Sequence, residues 1–485
     1  MKKVSFIALL LVLVLVIGIF ASGCAQKPGD QGNNNGDVNL DDDVNQGDDQ
    51  TPGDETGDDE TGEDTDVTQS KYYGYDYPEG ETVTLWSQNF GEIWVNHFSE
   101  QVHQYNLEGR GYTIVEEFVA GAAWDERMNA ARASGTAPDA YIQSYNHIPA
   151  GIRNGYYVPI DDYISKDIID RMVDIVREMV TFDGKTYAIP ILAEPSAVLY
   201  YRKDILEAAG YTEPPKTWDE LIEMAVELKT DDMYGIGVPY WGGEIGWSTW
   251  GMQYGNVGHG PLTDNWDEPW IDDGYREFLE FWKKLYESGA VPEQPLSAYV
   301  DIKPMGQGDY VFQICGSWGV SFLINDYPEM WPNVGVAVMP TNDGNQEKTT
   351  ATIGGWVYVL DAKAKNPEGV ADYFTWLLDE AHPERLGQYH VGERFSKAAP
   401  FTNVAQWLET QAPADADYVA VINKIASYGQ PEAAYPWEIS MAIDRMVENV
   451  AMGYEDIDTA MEIAREEIAQ VIQDYELAGT NPRKK

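Results

Sequence analysis

From about Glu81 onward, short β-like runs alternate with amphipathic helices, and this alternation admits one broad architecture, sheets layered with helices. ETVTLWSQNF reads as a strand that ends in polar and aromatic residues, and GYTIVEEFV as a second strand. AWDERMNAARASG reads as a helix with a Gly stop, and APDAYIQSY as a third strand that opens into a polar loop. In TWDELIEMAVELK, Thr217 stands as N-cap with Glu220 three residues later, the spacing of a capping box. NVGVAVMP and ATIGGWVYVLD are further strands, while PEGVADYFTWLLD and DIDTAMEIAREEIAQVIQDY carry apolar residues at helical spacing. No solenoid or propeller repeat is present, and the length from Glu81 suffices for two domains.

The amino-terminal stretch says where such a chain works. MKKVSFIALLLVLVLVIGIFASGCAQ has two lysines, an apolar run from Phe6 to Phe20, and small residues leading to Cys24, the layout of a secretory signal peptide. The run approaches the length of a membrane-spanning helix, but Ala21-Ser22-Gly23-Cys24 resembles the bacterial lipoprotein signal, in which the cysteine is lipidated. The expectation is a signal peptide over residues 1–23 and a chain anchored to the membrane through Cys24 rather than spanning it. Residues 24–80 are then a tether, because the stretch to Ser70 is Asp, Gly, Asn and Thr with almost nothing to bury. Within it, Asp37 to Asp48 spaces oxygen side chains much as a calcium loop does. Asp42, however, stands where the turn needs Gly, and a solvated tether is the better reading.

With Cys24 used by the anchor, Cys315 is left alone and no intrachain disulfide is available, so a large hydrophobic core must hold the folded part together. The net charge of −49 belongs only in part to the tether, and the excess of acid elsewhere argues against nucleic acid as a partner.

Candidate site residues cluster at the ends of the strand-like runs, where open α/β sheets bind ligands. SQNF supplies Gln88 and Asn89; IQSYNH supplies Gln143, Tyr145, Asn146 and His147; YPWE supplies Tyr435, Trp437 and Glu438. Trp241, Trp247, Trp318 and Trp356 sit in Gly- or Pro-flanked segments. Sugars present C–H faces that pack on aromatic rings and hydroxyls that need directed partners, and loops that mix aromatics with amides and carboxylates meet both needs. Trp86, Trp218, Trp282 and Trp376 fall on strands or helices and read as structural. One carboxylate stands apart. In YAIPILAEPSAVLYYR, Glu194 lies between Pro190 and Pro195 with no basic neighbour until Arg202. From the residues alone it is a catalytic acid or base with a raised pKa, an acceptor for a polar ligand, or an exposed loop residue.

The stretch GKTYAIPILAEPSAVLYYRKDILEAAGYTEPPKTWDELIEMAVELK is similar to the central signature of the extracellular solute-binding proteins of sugar-importing ABC transporters. MGQGDYVFQICGSWG, IGGWVYVLDAKAKNPEGVADYFTWLL and MVENVAMGYEDIDTAMEIAREEIAQVI fit the same family in the same order, so the resemblance runs from about Val83 to Tyr475. It implies an α/β, two-lobed periplasmic-binding-protein-like fold with a hinge, each lobe a sheet flanked by helices and built from discontinuous segments. Residues 81–193 plus 341–399 would form one lobe and 194–340 plus 400–485 the other, with crossings near Ala193 to Pro195, Pro340 and Pro400. The resemblance also implies that Glu194 hydrogen-bonds a sugar, and that Trp318 and Trp437 fall close to aromatic ligand positions. Gln143 and Asn146 replace a tryptophan and an aspartate of the family's maltose-binding member, a departure that points away from maltose itself.

The function implied is capture of a carbohydrate, an oligosaccharide, between two lobes by a monomer, and its delivery to an ABC permease on the extracytoplasmic face of the membrane. No cofactor is implied. The histidines His97, His103, His147, His259, His382 and His390 show no metal-ligand spacing, and neither a phosphate loop nor a nucleophile elbow occurs. Two rivals have other features in their favour. A glycoside hydrolase would use two carboxylates across a scissile bond, but nothing in the sequence pairs a second one with Glu194. A carbohydrate-binding adhesion lipoprotein would explain anchor and tether but not the four matching stretches.

Overall fold

A computed structural model describes residues 67–484, so the signal-like run, Cys24 and the Asp37 to Asp48 segment lie outside the described residues. Two hydrophobic clusters divide the rest into two lobes. The first runs from Val83 to Ala193 and resumes from Ile353 to Leu408. The second runs from Ala197 to Ala351 and resumes from Ile422 to Leu477.

A six-stranded sheet forms the first lobe, in the order Val67–Gln69, Tyr112–Val119, Glu81–Gln88, Ala140–Ser144, Trp356–Leu360, Ala188–Pro190. Glu81–Gln88 pairs in parallel with both of its neighbours, whereas Trp356–Leu360 is antiparallel to both of its own. Alternation explains the central strand, since Val83, Leu85 and Ser87 are buried and the residues between them are not. In the second lobe the order is Tyr234–Gly237, Tyr310–Cys315, Val198–Arg202, Val334–Ala337. Tyr310–Cys315 is buried along its whole length, as its nearly unbroken apolar sequence requires. The helices follow their sequence signals. Thr217 and Glu220 cap Trp218–Leu228 reciprocally, and Gly135 closes Gly121–Ser134 in the left-handed conformation at φ 72°. Among the described residues no helix is long and apolar enough to cross a membrane.

A third, small sheet joins the lobes. Its strands are Gln430–Pro431, Thr352–Gly354 and Glu194–Pro195, so Glu194 sits on a hinge strand, between Ala193 of one core and Ala197 of the other. The first change of core lies between Ala193 and Ala197, and the next two lie beyond Pro340 and Pro400. Pro340 does not end the second lobe, because Thr341 continues it: Trp218 N–H donates to Thr341 O at 3.1 Å and Thr341 N–H to Lys216 O at 3.0 Å. The chain crosses between Ala351 and Ile353 instead. Likewise Pro400 remains in the first lobe, with its carbonyl accepting from Val173 N–H at 2.9 Å and Phe401 fully buried beside it. The return lies beyond Leu408, where Asp417–Tyr428 turns Ile422 and Ile425 into the second core. A proline marks a bend, and pairing decides which lobe owns it.

The expected tether also ends earlier than residue 80. Val67–Gln69 adds an antiparallel edge to Tyr112–Val119, Tyr72 stacks on His103 with ring centroids 3.8 Å apart, and Tyr77 OH meets His103 Nδ1 at 2.8 Å. Tyrosines supply what the acidic stretch lacks, area to bury.

Candidate functional site

A cleft of about 1290 Å³ is lined by residues of both lobes. The first lobe contributes Gln88 and Phe90 where Glu81–Gln88 ends, and Asn146 and His147 just beyond Ala140–Ser144. Trp356 reaches the same edge from the opposite direction: its strand is antiparallel, so its first residue lies opposite Ser144, the last of its partner. Phe90 and Trp356 pack at 4.4 Å between ring centroids. On the second lobe, Trp247 comes from the short helix Glu244–Ser248, Trp318 from the turn before Gly319–Asp326, and Trp437 from the first position of Trp437–Ala451. Glu194, Ser196 and Glu432 lie at the hinge.

Trp247 and Trp318 are nearly parallel, 14° apart with centroids 6.3 Å from each other. Trp318 Nε1–H donates to Val300 O at 3.0 Å, and its ring lies over Gly316, where a Cβ would come within 1.9 Å of it. Only glycine leaves room for that ring orientation. Trp437, by contrast, is 47% exposed.

Eight of the ligand residues expected from sequence line the cleft: Gln88, Asn146, His147, Glu194, Trp247, Trp318, Trp356 and Trp437. The others do not line it. Asn89 braces the strand-to-helix turn, donating to Thr68 Oγ1 at 3.0 Å and accepting from Gly91 N–H at 2.9 Å. Gln143 is buried and sits behind His147, whose Nδ1 lies 3.2 Å from Gln143 Oε1. Tyr145 points into the first core and donates to Leu192 O at 3.0 Å. Trp241 packs on Tyr286 at 5.3 Å. Tyr435 lies against Trp250 at 6.1 Å and lines a separate pocket of about 260 Å³. Residues adjacent in a loop point different ways, so Tyr145 and Asn146, or Tyr435 and Trp437, part company once the backbone is fixed.

Glu194 is not the isolated carboxylate its sequence neighbours suggest. Lys397 Nζ lies 3.7 Å from Glu194 Oε2 and 2.7 Å from Glu393 Oε2, brought there by the pairing of Ala193 with Ala398 beside the hinge strand. Burial raises the pKa of Glu194 and the Lys397 charge lowers it, with burial the stronger. For Lys397, burial opposes the charge, but Glu393 and Glu194 together hold its pKa above the usual value. Glu432 is pushed up to about 7, first by burial and then by the charge of Glu194.

The sequence reading missed Glu393, Lys397 and Glu432. Glu393 and Lys397 stand four apart in ERFSK, a spacing that could have suggested a pair, although Arg394 and Phe395 adopt positive φ (54° and 58°) and the segment is not a helix. The same segment reaches across the cleft: Ser321 Oγ–H donates to Glu393 Oε2 at 2.9 Å and Arg394 Nε–H to Asn325 Oδ1 at 3.0 Å, each joining a first-lobe residue to a second-lobe helix.

The family described as bacterial extracellular solute-binding protein matches residues 100–388, that is 289 of the 485 residues. A Brucella abortus (strain 2308) protein named only as a binding protein is 26% identical over 277 residues, covering 56% of this chain and 66% of that one. The maltotriose-binding protein of Pyrococcus abyssi is 26% identical over 251 residues, covering 48% of this chain and 52% of its own. The chain thus matches just under two thirds of the first relative's length and about half of the second's. In fold, the crystal structure of the cyclic α-maltosyl-1,6-maltose binding protein from Arthrobacter globiformis superposes with a TM-score of 0.66 at 21% identity, over 82% of this chain and 100% of that one.

Proposed function

The chain belongs to the bacterial extracellular solute-binding proteins, and from that premise we propose that it captures a carbohydrate, an oligosaccharide, between its lobes and delivers it to an ABC permease for import. One observation carries this reading. Aromatic rings face the cleft from both sides, Phe90 and Trp356 from one lobe and Trp247, Trp318 and Trp437 from the other, while amide, imidazole and carboxylate groups stand among them. Aromatic faces suit the C–H surfaces of sugar rings, and the polar groups suit their hydroxyls. A volume of about 1290 Å³ has room for more than one sugar ring. In this reading Cys24 carries the lipid that keeps the receptor, a monomer, beside its permease.

The protein acts here as a binder and not as a hydrolase. Glu194 and Glu393 share one lysine, which suits holding a ligand better than leaving a free acid and a free base on either side of a bond. Calorimetry against an array of plant and microbial oligosaccharides is the test: saturable binding with no shorter sugars appearing over time is expected. Silence across the array defeats the sugar reading, and release of fragments defeats the binder.

Closure should accompany binding, because among the described residues the three-stranded sheet at the hinge is the one hydrogen-bonded sheet shared by the lobes. Small-angle scattering is expected to give a smaller radius of gyration with saturating sugar, and an identical profile would count against hinge motion.

Trp437→Ala is expected to weaken sugar binding by up to about tenfold while changing stability by no more than about 0.5 kcal/mol, as for other exposed positions. Trp318→Ala loses affinity and stability together, since Trp318 also packs on the second core. A steep fall in the unfolding temperature of Trp437→Ala would show that ring to be structural.

A further inference from the structure

The hinge end of the cleft holds more buried negative charge than its cations balance. Three carboxylates, Glu194, Glu393 and Glu432, line the cleft with Lys397, and each of the four is at most 9% exposed. Lys397 serves two of them, at 2.7 Å from Glu393 and 3.7 Å from Glu194. Glu432 has no ion pair within 4.0 Å among the described residues. Arg483, the cation that acts on it, donates to the Glu432 backbone carbonyl rather than to the carboxylate. Among the described residues Glu194 Oε2 is buried without a donor at hydrogen-bond distance, even though Glu194 lines the cleft. The site is built and not incidental: Glu432 lies over Gly354, where a Cβ would come within 2.1 Å of its Oε1, and Gly354 is the register partner of Glu194.

A buried carboxylate without a cation is costly, and closing the lobes raises that cost by removing water. Protons can relieve it in the open state; a ligand can relieve it in the closed one. A neutral sugar offers hydroxyl donors but leaves the excess charge enclosed. An ammonium group supplies both the donors and the missing charge, and charge-assisted bonds are about twice as strong as neutral ones. Trp247 and its near-parallel neighbour Trp318 line the same cleft, and an indole face is the best aromatic surface for a cation. The net charge of −49 favours the approach of a positively charged solute as well.

We infer that the solute taken by this cleft is an amino sugar, a polyhydroxylated ring with a protonated amine that sits beside Glu194 and Glu432. This rests on the sugar-capture reading of the same cleft and narrows its substrate class.

The test compares matched probes by calorimetry on the full chain: glucosamine and galactosamine oligomers, their N-acetylated forms, the corresponding neutral oligosaccharides, and spermidine. The amine forms are expected to bind at least about tenfold tighter than their N-acetylated and neutral counterparts, the scale of one charge-assisted hydrogen bond. Glu432→Gln, with folding checked by thermal unfolding, is expected to bring that ratio towards one; if it does not fold, Glu194→Gln takes its place. Equal or tighter binding of the N-acetylated or neutral sugars overturns the inference and leaves sugar capture standing. Binding of spermidine with no sugar overturns sugar capture and keeps the ammonium assignment, whereas binding of no probe overturns both.

Discussion

Lys397→Met is expected to lower the stability of the folded part by about 3–5 kcal/mol at slightly alkaline pH, the cost of removing one partner from a buried charge cluster. Lys397 is 9% exposed, lies in contact with Glu393 and Glu194, and leaves no basic side chain within 4.0 Å of either among the described residues once it is gone. Methionine keeps most of the aliphatic volume, so the loss is one of charge. The pH dependence separates the two. Glu194 and Glu432 both have folded pKa values raised above the ordinary 4.5, Glu432 to about 7. Stability from such a group is fully present below the unfolded value and is lost as pH rises through the folded one. The variant should therefore be weakest above about pH 7 and approach wild type near pH 4.5, as the carboxylates take up protons instead of a lysine. Denaturant titrations at the two ends of this window decide it: an equal deficit at both would mean lost packing, and no deficit at either would mean that the cluster is solvated.

Glu116→Gln is expected to have the opposite sign in alkali. Glu116 is buried in the first lobe; its Oε1 accepts from Tyr358 OH at 2.7 Å and its Oε2 has no hydrogen-bond partner among the described residues. Burial pushes its pKa up to about 7, and the tyrosine hydrogen bond only moderates the rise. From 4.5 to about 7 is two and a half pH units, which at 1.36 kcal/mol each gives a stability loss of about 3 kcal/mol as pH rises through that window. Glutamine keeps the acceptor for Tyr358 and does not titrate. The difference in unfolding free energy between variant and wild type should shift in favour of the variant by about 3 kcal/mol between pH 4.5 and a pH above 7. His97 and His390, buried with pKa values lowered to about 3 and about 4, weaken the wild type as pH falls below 6.5, but they act on both proteins and cancel in the difference. A pH-independent difference would place water beside Glu116.

The elements themselves were legible because each carries its own local instruction. Thr217 and Glu220 state a helix start without help from the rest of the chain, and the alternation in Glu81–Gln88 states which face is buried. The order of elements along the chain was legible as well. The later crossings were not, since nothing in the sequence around Pro340 or Pro400 records that Thr341 pairs with Lys216 and Trp218, or Pro400 with Val173. Such bonds join residues far apart in sequence and depend on the sheets already being in place.

The site divides the same way. Sequence alone determined that strand ends rich in tryptophan, amides and carboxylates would meet at one edge, because a strand's direction fixes where its last residues emerge. It could not say which of two neighbours faces the cleft, as with Asn146 and Tyr145, or Trp437 and Tyr435; that turns on backbone angles set by packing. Nor could it show that Glu194 meets Lys397, or that Glu432 joins them. Lys397 and Glu432 lie 203 and 238 residues from Glu194 in sequence, and the hinge, by laying Glu194–Pro195, Thr352–Gly354 and Gln430–Pro431 side by side and pairing Ala193 with Ala398, brings their charges within reach of one another. Electrostatic energy depends on distance in space and on the water excluded between charges, and both are properties of the folded chain.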